Sequence, residues 1–314
     1  MFRLLLCGAL AVSAVAGEPL YELIGQVSPA GAATITLFGA TSPFLAEALS
    51  DYGGRFHFRK LRAGTYTAAV YLDDRGEARQ TIEIGPGTAD PHRRVTLTLR
   101  FKDSDFVFAD TARRQHSISA KELSIPEKAL KEFDAAIRDL EKHDVESATK
   151  RLEHAVELAP QFSMGWNELG TIDYQTGKYP EAEKCFRAAL EQDPSAYEPL
   201  VNLGGVLLTL QKLDEALVCN QRAVLTRPND ALANSQLGST YFAVRNFDLA
   251  LKYLGIARRI DPAHFSHPQL VAAEIHLRLG ETSLAADDME DFLKYHPDYP
   301  AADKIRENIA RLRQ

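Results

Sequence analysis

From Tyr21 to Phe101, apolar and polar residues alternate with a period of two. Thr34-Ile35-Thr36-Leu37 alternates, and Arg55-Phe56-His57-Phe58-Arg59 sets two rings on one face. Val95 to Phe101 alternates without a break. Successive side chains of a strand point to opposite faces, so the pattern predicts half-buried antiparallel strands. Turn signals part the runs at Pro29-Ala30-Gly31, Gly53-Gly54, Ala63-Gly64, Asp73-Asp74-Arg75-Gly76 and Gly85-Pro86-Gly87. The prediction is about seven short strands in a small β-sandwich over residues 17–101.

Beyond it, residues 102–125 lose any period and read as a linker, ending at Pro126 in the first turn of a helix. Phe106-Val107-Phe108 is too apolar for a free linker and is expected to dock on a neighbouring domain. From there the chain repeats. Pro160, Pro194, Pro228, Pro262 and Pro297 are spaced 34, 34, 34 and 35 residues apart. Ala148, Ala182, Ala216, Ala250 and Ala285 share one column of that frame, and Ala155, Ala189, Ala223 and Ala257 another, completed by Phe292. Gly170, Gly204 and Gly238 share a third, with Ala136 and Ala273 in the outer units. A fixed period with small residues at fixed columns is the pattern of stacked helical hairpins, where close crossings admit only glycine or alanine. Each proline stops a second helix and opens the next hairpin. The units predicted are 129–162, 163–196, 197–230, 231–264 and 265–299, with a capping helix over 300–314.

These columns resemble the tetratricopeptide repeat. The resemblance implies a right-handed superhelical solenoid, whose first helices line a concave groove for peptides or protein segments. Carried over by column, the groove residues are Met164, Asn167, Thr171 and Tyr174 in the second unit. They are Glu198, Val201, Gly205 and Leu208 in the third, and Leu232, Ser235, Ser239 and Phe242 in the fourth. The fifth gives His267, Leu270, Glu274 and Leu277. Leu140, Tyr174, Leu208, Phe242 and Leu277 form one apolar column, suited either to a partner's anchors or to inter-helix packing. Asn202 stands where a carboxylate-clamping asparagine of this family would stand, but the partner lysines and arginines are absent. The first unit carries an apolar stripe, Leu130, Phe133, Ile137 and Leu140, which the linker or β-domain is expected to cover. The phrase Gly54-Arg55-Phe56-His57-Phe58-Arg59-Lys60-Leu61-Arg62-Ala63-Gly64-Thr65-Tyr66 resembles the carboxypeptidase-regulatory-like (transthyretin-like) sandwich family. That resemblance implies an accessory module; Tyr52, Tyr66 and Tyr71 are its only candidate sugar platform.

Charge narrows the partners. The formal net charge of the 314 residues is -7, spread along the chain, a poor fit to nucleic acid or to a polybasic membrane contact. Arg3, the apolar run Leu4 to Val12 and Ala14-Val15-Ala16 read as a signal peptide cut after Ala16, too short to span a membrane. Export to the periplasm or the extracellular space follows. Of three cysteines, Cys7 would leave with that segment. Cys185 and Cys219 share a column in adjacent units, roughly 10 Å apart and beyond disulfide reach, so two free, largely buried thiols are expected. No nucleophile motif, phosphate loop or metal signature appears, and no catalytic residues, metal or cofactor are expected. His264 and His267 read as a surface turn. The function expected is an exported, non-catalytic scaffold that binds a protein segment. The alternatives are a carbohydrate- or envelope-binding module with the repeats as spacer, and an accessory to a hydrolase on another chain.

Overall fold

The computed structural model describes residues 19–107 and 124–314. The expected signal segment and the linker positions 108–123 lie outside them. The described residues form two compact units, 19–210 and 211–314.

The first unit opens with seven strands: β1 (Tyr21–Ser28), β2 (Thr34–Gly39), β3 (Leu45–Leu49), β4 (Arg55–Leu61), β5 (Gly64–Leu72), β6 (Gly76–Ile84) and β7 (Arg94–Arg100). They make two sheets, β4-β1-β7 and β3-β2-β5-β6. All pairs are antiparallel except β1 with β7, which is parallel. Both sheets turn their apolar positions onto one core, in which Leu23, Ile35, Leu37, Leu61, Val70 and Leu99 lose all accessible surface. The period-two pattern thus marks the inward faces.

The Gly54–Tyr66 phrase has a physical account. Gly54 sits at φ +77, where a Cβ would come within 2.7 Å of the Val27 carbonyl oxygen. Phe56, Phe58 and Leu61 point inward. Tyr66 returns the chain, and its hydroxyl donates to the Arg62 carbonyl at 2.9 Å. Buried at 2% exposure, Tyr66 is a core residue, which breaks the tyrosine platform; Tyr71 is half-buried on β5 and Tyr52 is exposed in a turn. Phe106 joins the same core and meets Phe101 edge-on at 5.7 Å, while Val107 bridges to Glu77.

The helices are α1 (Glu127–Glu141), α2 (Val145–Leu158), α3 (Ser163–Gln175), α4 (Tyr179–Gln192) and α5 (Tyr197–Thr209) in the first unit. The second unit holds α6 (Leu213–Thr226), α7 (Ala231–Ala243), α8 (Phe247–Ile260), α9 (Pro268–Leu279), α10 (Thr282–Tyr295) and α11 (Ala302–Leu312). Asp144, Asp230 and Asn246 cap α2, α7 and α8 by accepting from backbone N–H groups one turn ahead. Pro160, Pro194, Pro228, Pro262 and Pro297 each lie two residues past the end of a helix. Every alanine of the two repeat columns is at 0% exposure, as are Ala136 and Ala273. A Cβ on Gly170 would fall 2.7 Å from the Phe186 ring. In the second unit α11 covers the last hairpin, with Ile305 buried against Met289 and Phe292.

Candidate partner-binding faces

In the first unit the face formed by the first helices of the hairpins carries the β-sandwich. Leu45 of β3 packs into the cluster of Ala136, Leu140 and Leu152, beside Phe133 and Ile137. The ring of Phe44 stacks on His143 with centroids 4.9 Å apart, and His143 Nε2 lies 3.2 Å from the Lys60 carbonyl. Burial lowers the pKa of that imidazole. Gln175, at the end of α3, donates to the Gly39 carbonyl at 2.8 Å. Arg79 of β6 grips Glu198 of α5 with two guanidinium nitrogens, at 2.7 and 3.1 Å, and Glu77 steadies its Nε at 2.7 Å. Ala69 and Thr81 stand outside the sandwich core on the outer face of the four-stranded sheet, yet are only 4% and 3% exposed. Leu45 of the sandwich thus reaches the part of the α1 stripe at Ile137 and Leu140, whereas Phe133 packs on Phe162 at 5.0 Å beside Ile125, and Leu130 stays 41% exposed. The contact also reaches farther than the stripe suggests, to α5 of the third hairpin.

Several residues expected in this part of the groove have other duties. Val201 is fully buried and offers no surface to a partner. The cause lies in α5, where Leu200, Val201, Leu203, Val206 and Leu207 are all buried; a helix apolar all round is a core helix. Asn202 does not stand ready for a carboxylate. Its amide donates to Asn167 Oδ1 at 3.1 Å and lies 3.4 Å from Thr171 Oγ1, a polar ladder between α3 and α5. Asn167 is itself only 7% exposed and donates to Glu168. Burial pushes the Glu168 carboxyl up to about 7, eased by the Asn167 bond and sharpened by Glu198. Tyr174 keeps 37% exposure, with its ring edge-on to Tyr179 at 5.5 Å. Met164 is 53% exposed, and Leu208 is half-buried. Cys185 is buried and Cys219 half-buried, and neither is in a disulfide; desolvation first, and then Asp173, push the Cys185 thiol up to about 12.

In the second unit Ser239, Phe242, Leu270 and Leu277 are half-buried. The Phe242 ring carries the Arg278 guanidinium at 4.6 Å, and Glu274 holds that arginine at 2.9 Å. Leu270 and Leu277 also pack on the cluster of Ala273, Ala285 and Phe292, so the apolar column serves packing and surface together. Ser235 is 1% exposed and shares a 2.6 Å hydrogen bond with Ser266, which removes it from the surface. The His264 turn is not a surface turn. His264 is 4% exposed, its Nδ1 lies 2.6 Å from Ser266 Oγ, and burial draws its pKa down to about 3. His267, Phe292, His296 and Tyr299 form a ring cluster beside it. Sequence reasoning missed Asp288, clamped by His276 Nδ1 at 2.8 Å and Arg258 at 2.9 Å, which ties α8, α9 and α10. Among the described residues no group of three or more His, Cys, Asp or Glu could hold a metal ion.

Comparison with known proteins bears on the helices. Residues 167–231 match the tetratricopeptide repeat family. The human cell division cycle protein 16 homolog is 31% identical over 119 residues, covering 35% of this chain and 19% of that protein. Hsp70-Hsp90 organizing protein 3 of Arabidopsis thaliana is 23% identical over 212 residues, 63% of this chain and 36% of its own length. Among solved structures, PilW, a type IV pilus biogenesis factor, aligns with a TM-score of 0.52 at 21% identity, over 59% of this chain and 87% of its own. MamA of Desulfovibrio magneticus RS-1 aligns at 0.50 and 19% identity, over 56% and 99%. With the paired helices, small-residue crossings and proline frame described above, the helical part has the fold of a tetratricopeptide-like solenoid, and residues 167–231 match that repeat family itself.

Proposed function

We propose that this chain is an exported, non-catalytic scaffold that holds an extended or amphipathic segment of a partner protein on the first-helix faces of its repeats. The half-exposed apolar column carries the reading: Tyr174 in the first unit, and Phe242 and Leu277 in the second, combine accessible ring or aliphatic surface with rigid backing. Alternating polar neighbours such as Thr171 and Ser239 suit the flanks of such a segment. In the first unit the sandwich already rests on α1, α3 and α5, so we assign it the role of a tethered module on the repeats. Its Gly54–Tyr66 phrase supports a carboxypeptidase-regulatory-like origin. The sugar-binding alternative loses its support with Tyr66 in the core.

The test is affinity capture of the exported protein, comparing wild type with Tyr174→Ala/Phe242→Ala. The expected outcome is loss of the captured protein with helix content and melting retained. Undiminished capture by the folded double variant would remove these faces from the reading. Turnover of any substrate class by the pure protein would overturn the non-catalytic assignment.

A further inference from the structure

A net charge of -7 argues against an anionic surface as partner, but that sum hides how the charges are placed. Residues 19–107 hold ten arginines and lysines and ten aspartates and glutamates, an even balance by count. By position it is uneven. The outward positions of the three-stranded sheet are set by register: Glu22 opposite Arg94, Ile24 opposite Thr96 and His57, Gln26 opposite Thr98 and Arg55, and Ser28 opposite Arg100. Arg59 ends the same side of β4, and Lys60, Arg93 and Lys102 stand exposed at its rim. Of these, Arg55, Arg59, Lys60, Arg93, Arg100 and Lys102 make no ion pair with any described residue. The acids present are Glu22, 3.5 Å from His57, Asp90, engaged by Arg94 at 3.0 Å, Asp51 and Asp105, which accept from the Arg55 and Lys102 backbones, and Asp103, engaged by Arg75.

The opposite side of the sandwich is taken. The four-stranded sheet turns its outer face, through Arg79, Ala69 and Thr81, to the helices. The basic face is thus the outer face of the sandwich that the described residues leave exposed. Its form decides what it fits. It is a sheet surface, and apart from His57 the outward side chains of its strands carry no ring; Tyr52 and His92 stand apart in the turns at its rim, with no ring pair between which a single sugar or base would stack. Its unpaired bases sit toward both ends of strands about 20 Å long. Between them Ile24 is 39% exposed, and Leu20 at the edge is 45% exposed.

We propose that this face lies flat on an anionic lipid bilayer. The spread bases meet headgroup phosphates, and Ile24 and Leu20 make shallow apolar contact. Each such base raises partitioning about fivefold on an anionic leaflet.

The test is sedimentation of the full chain with vesicles of phosphatidylcholine containing about one third phosphatidylglycerol, against phosphatidylcholine alone. At about 0.05 M salt the protein should pellet only with the anionic vesicles, and about 0.5 M salt should release it. Arg55→Glu/Arg100→Glu should weaken binding at least about tenfold with unchanged melting. Lys128→Glu/Lys184→Glu, equal in charge change but on the helices, should leave binding within about twofold. Equal binding to neutral vesicles, or two double variants that behave alike, would overturn the proposal. So would retention on an immobilised acidic polysaccharide without binding to anionic vesicles.

Discussion

Five hairpin turns each place one residue in the left-handed region: His143, Gly177, Gln211, Arg245 and Gly280, with φ of 60, 82, 59, 62 and 79. They share one column, seventeen residues before each repeat proline. Only glycine occupies that region without steric cost. Arg245→Gly should therefore stabilise the fold by about 0.5–1 kcal/mol, read as a higher melting temperature. Two glycines among five residues are too few to reveal the column from sequence, because the turn dictates the backbone and not the side chain. His264 is a second residue-scale case. Its folded pKa of about 3 lies below the usual histidine value of 6.5, so the folded state keeps it neutral. The stability this confers is present above about pH 6.5 and declines as pH falls from there toward the folded value. His264→Gln should flatten the fall in melting temperature between about pH 7 and pH 4.5. A parallel fall in both proteins would assign the acid sensitivity elsewhere. Burial of this histidine was hidden because polar residues at a repeat junction read as a loop.

At the scale of the helix, the small-residue columns were legible and the burial of particular faces was not. Gly238 belongs to a crossing: a Cβ there would come within 2.8 Å of Leu254 Cγ and 3.0 Å of its backbone nitrogen. Gly255 lies in α8, where the nearest atom to an added Cβ is the tip of Arg259 at 3.9 Å. Gly238→Val should cost about 2–3 kcal/mol through overpacking. Gly255→Ala should gain about 0.5–1 kcal/mol from helix propensity alone. Chemical denaturation of the two variants separates packing from propensity. Column reasoning found the crossing glycines because close approach leaves no other choice. It placed Val201 and Ser235 at a surface because a column fixes the side of a helix, not what covers that side. The uniformly apolar run of α5 was the available signal for Val201.

At the scale of the molecule, the two-part layout was legible: a change of hydrophobic period from two to helical marks it near Pro126. The seating of the sandwich was legible in part. The apolar stripe of α1 announced that something covers it, since an exposed stripe of that size is costly. The grip on α5 was not announced, because Arg79 and Glu198 lie 119 residues apart and neither is unusual in type. A double-mutant cycle with Arg79→Ala and Glu198→Ala should give a coupling of about 1 kcal/mol, kept modest by the partial exposure of both side chains. Additive effects within error would remove the ion pair from the seating and leave it to the packing of Leu45 and Phe44 and the hydrogen bonds of Gln175 and His143.

That seating sets a threshold for any competitor. A module carried in the same chain faces its docking surface at an effective concentration on the order of millimolar, whatever the amount of protein in solution. A free segment aimed at α1, α3 and α5 must therefore displace an occupant that dilution does not remove. Its apparent affinity is the intrinsic one multiplied by the fraction of molecules with the sandwich lifted. Weak ligands for that face are filtered out, and a ligand strong enough to enter releases the sandwich as it binds.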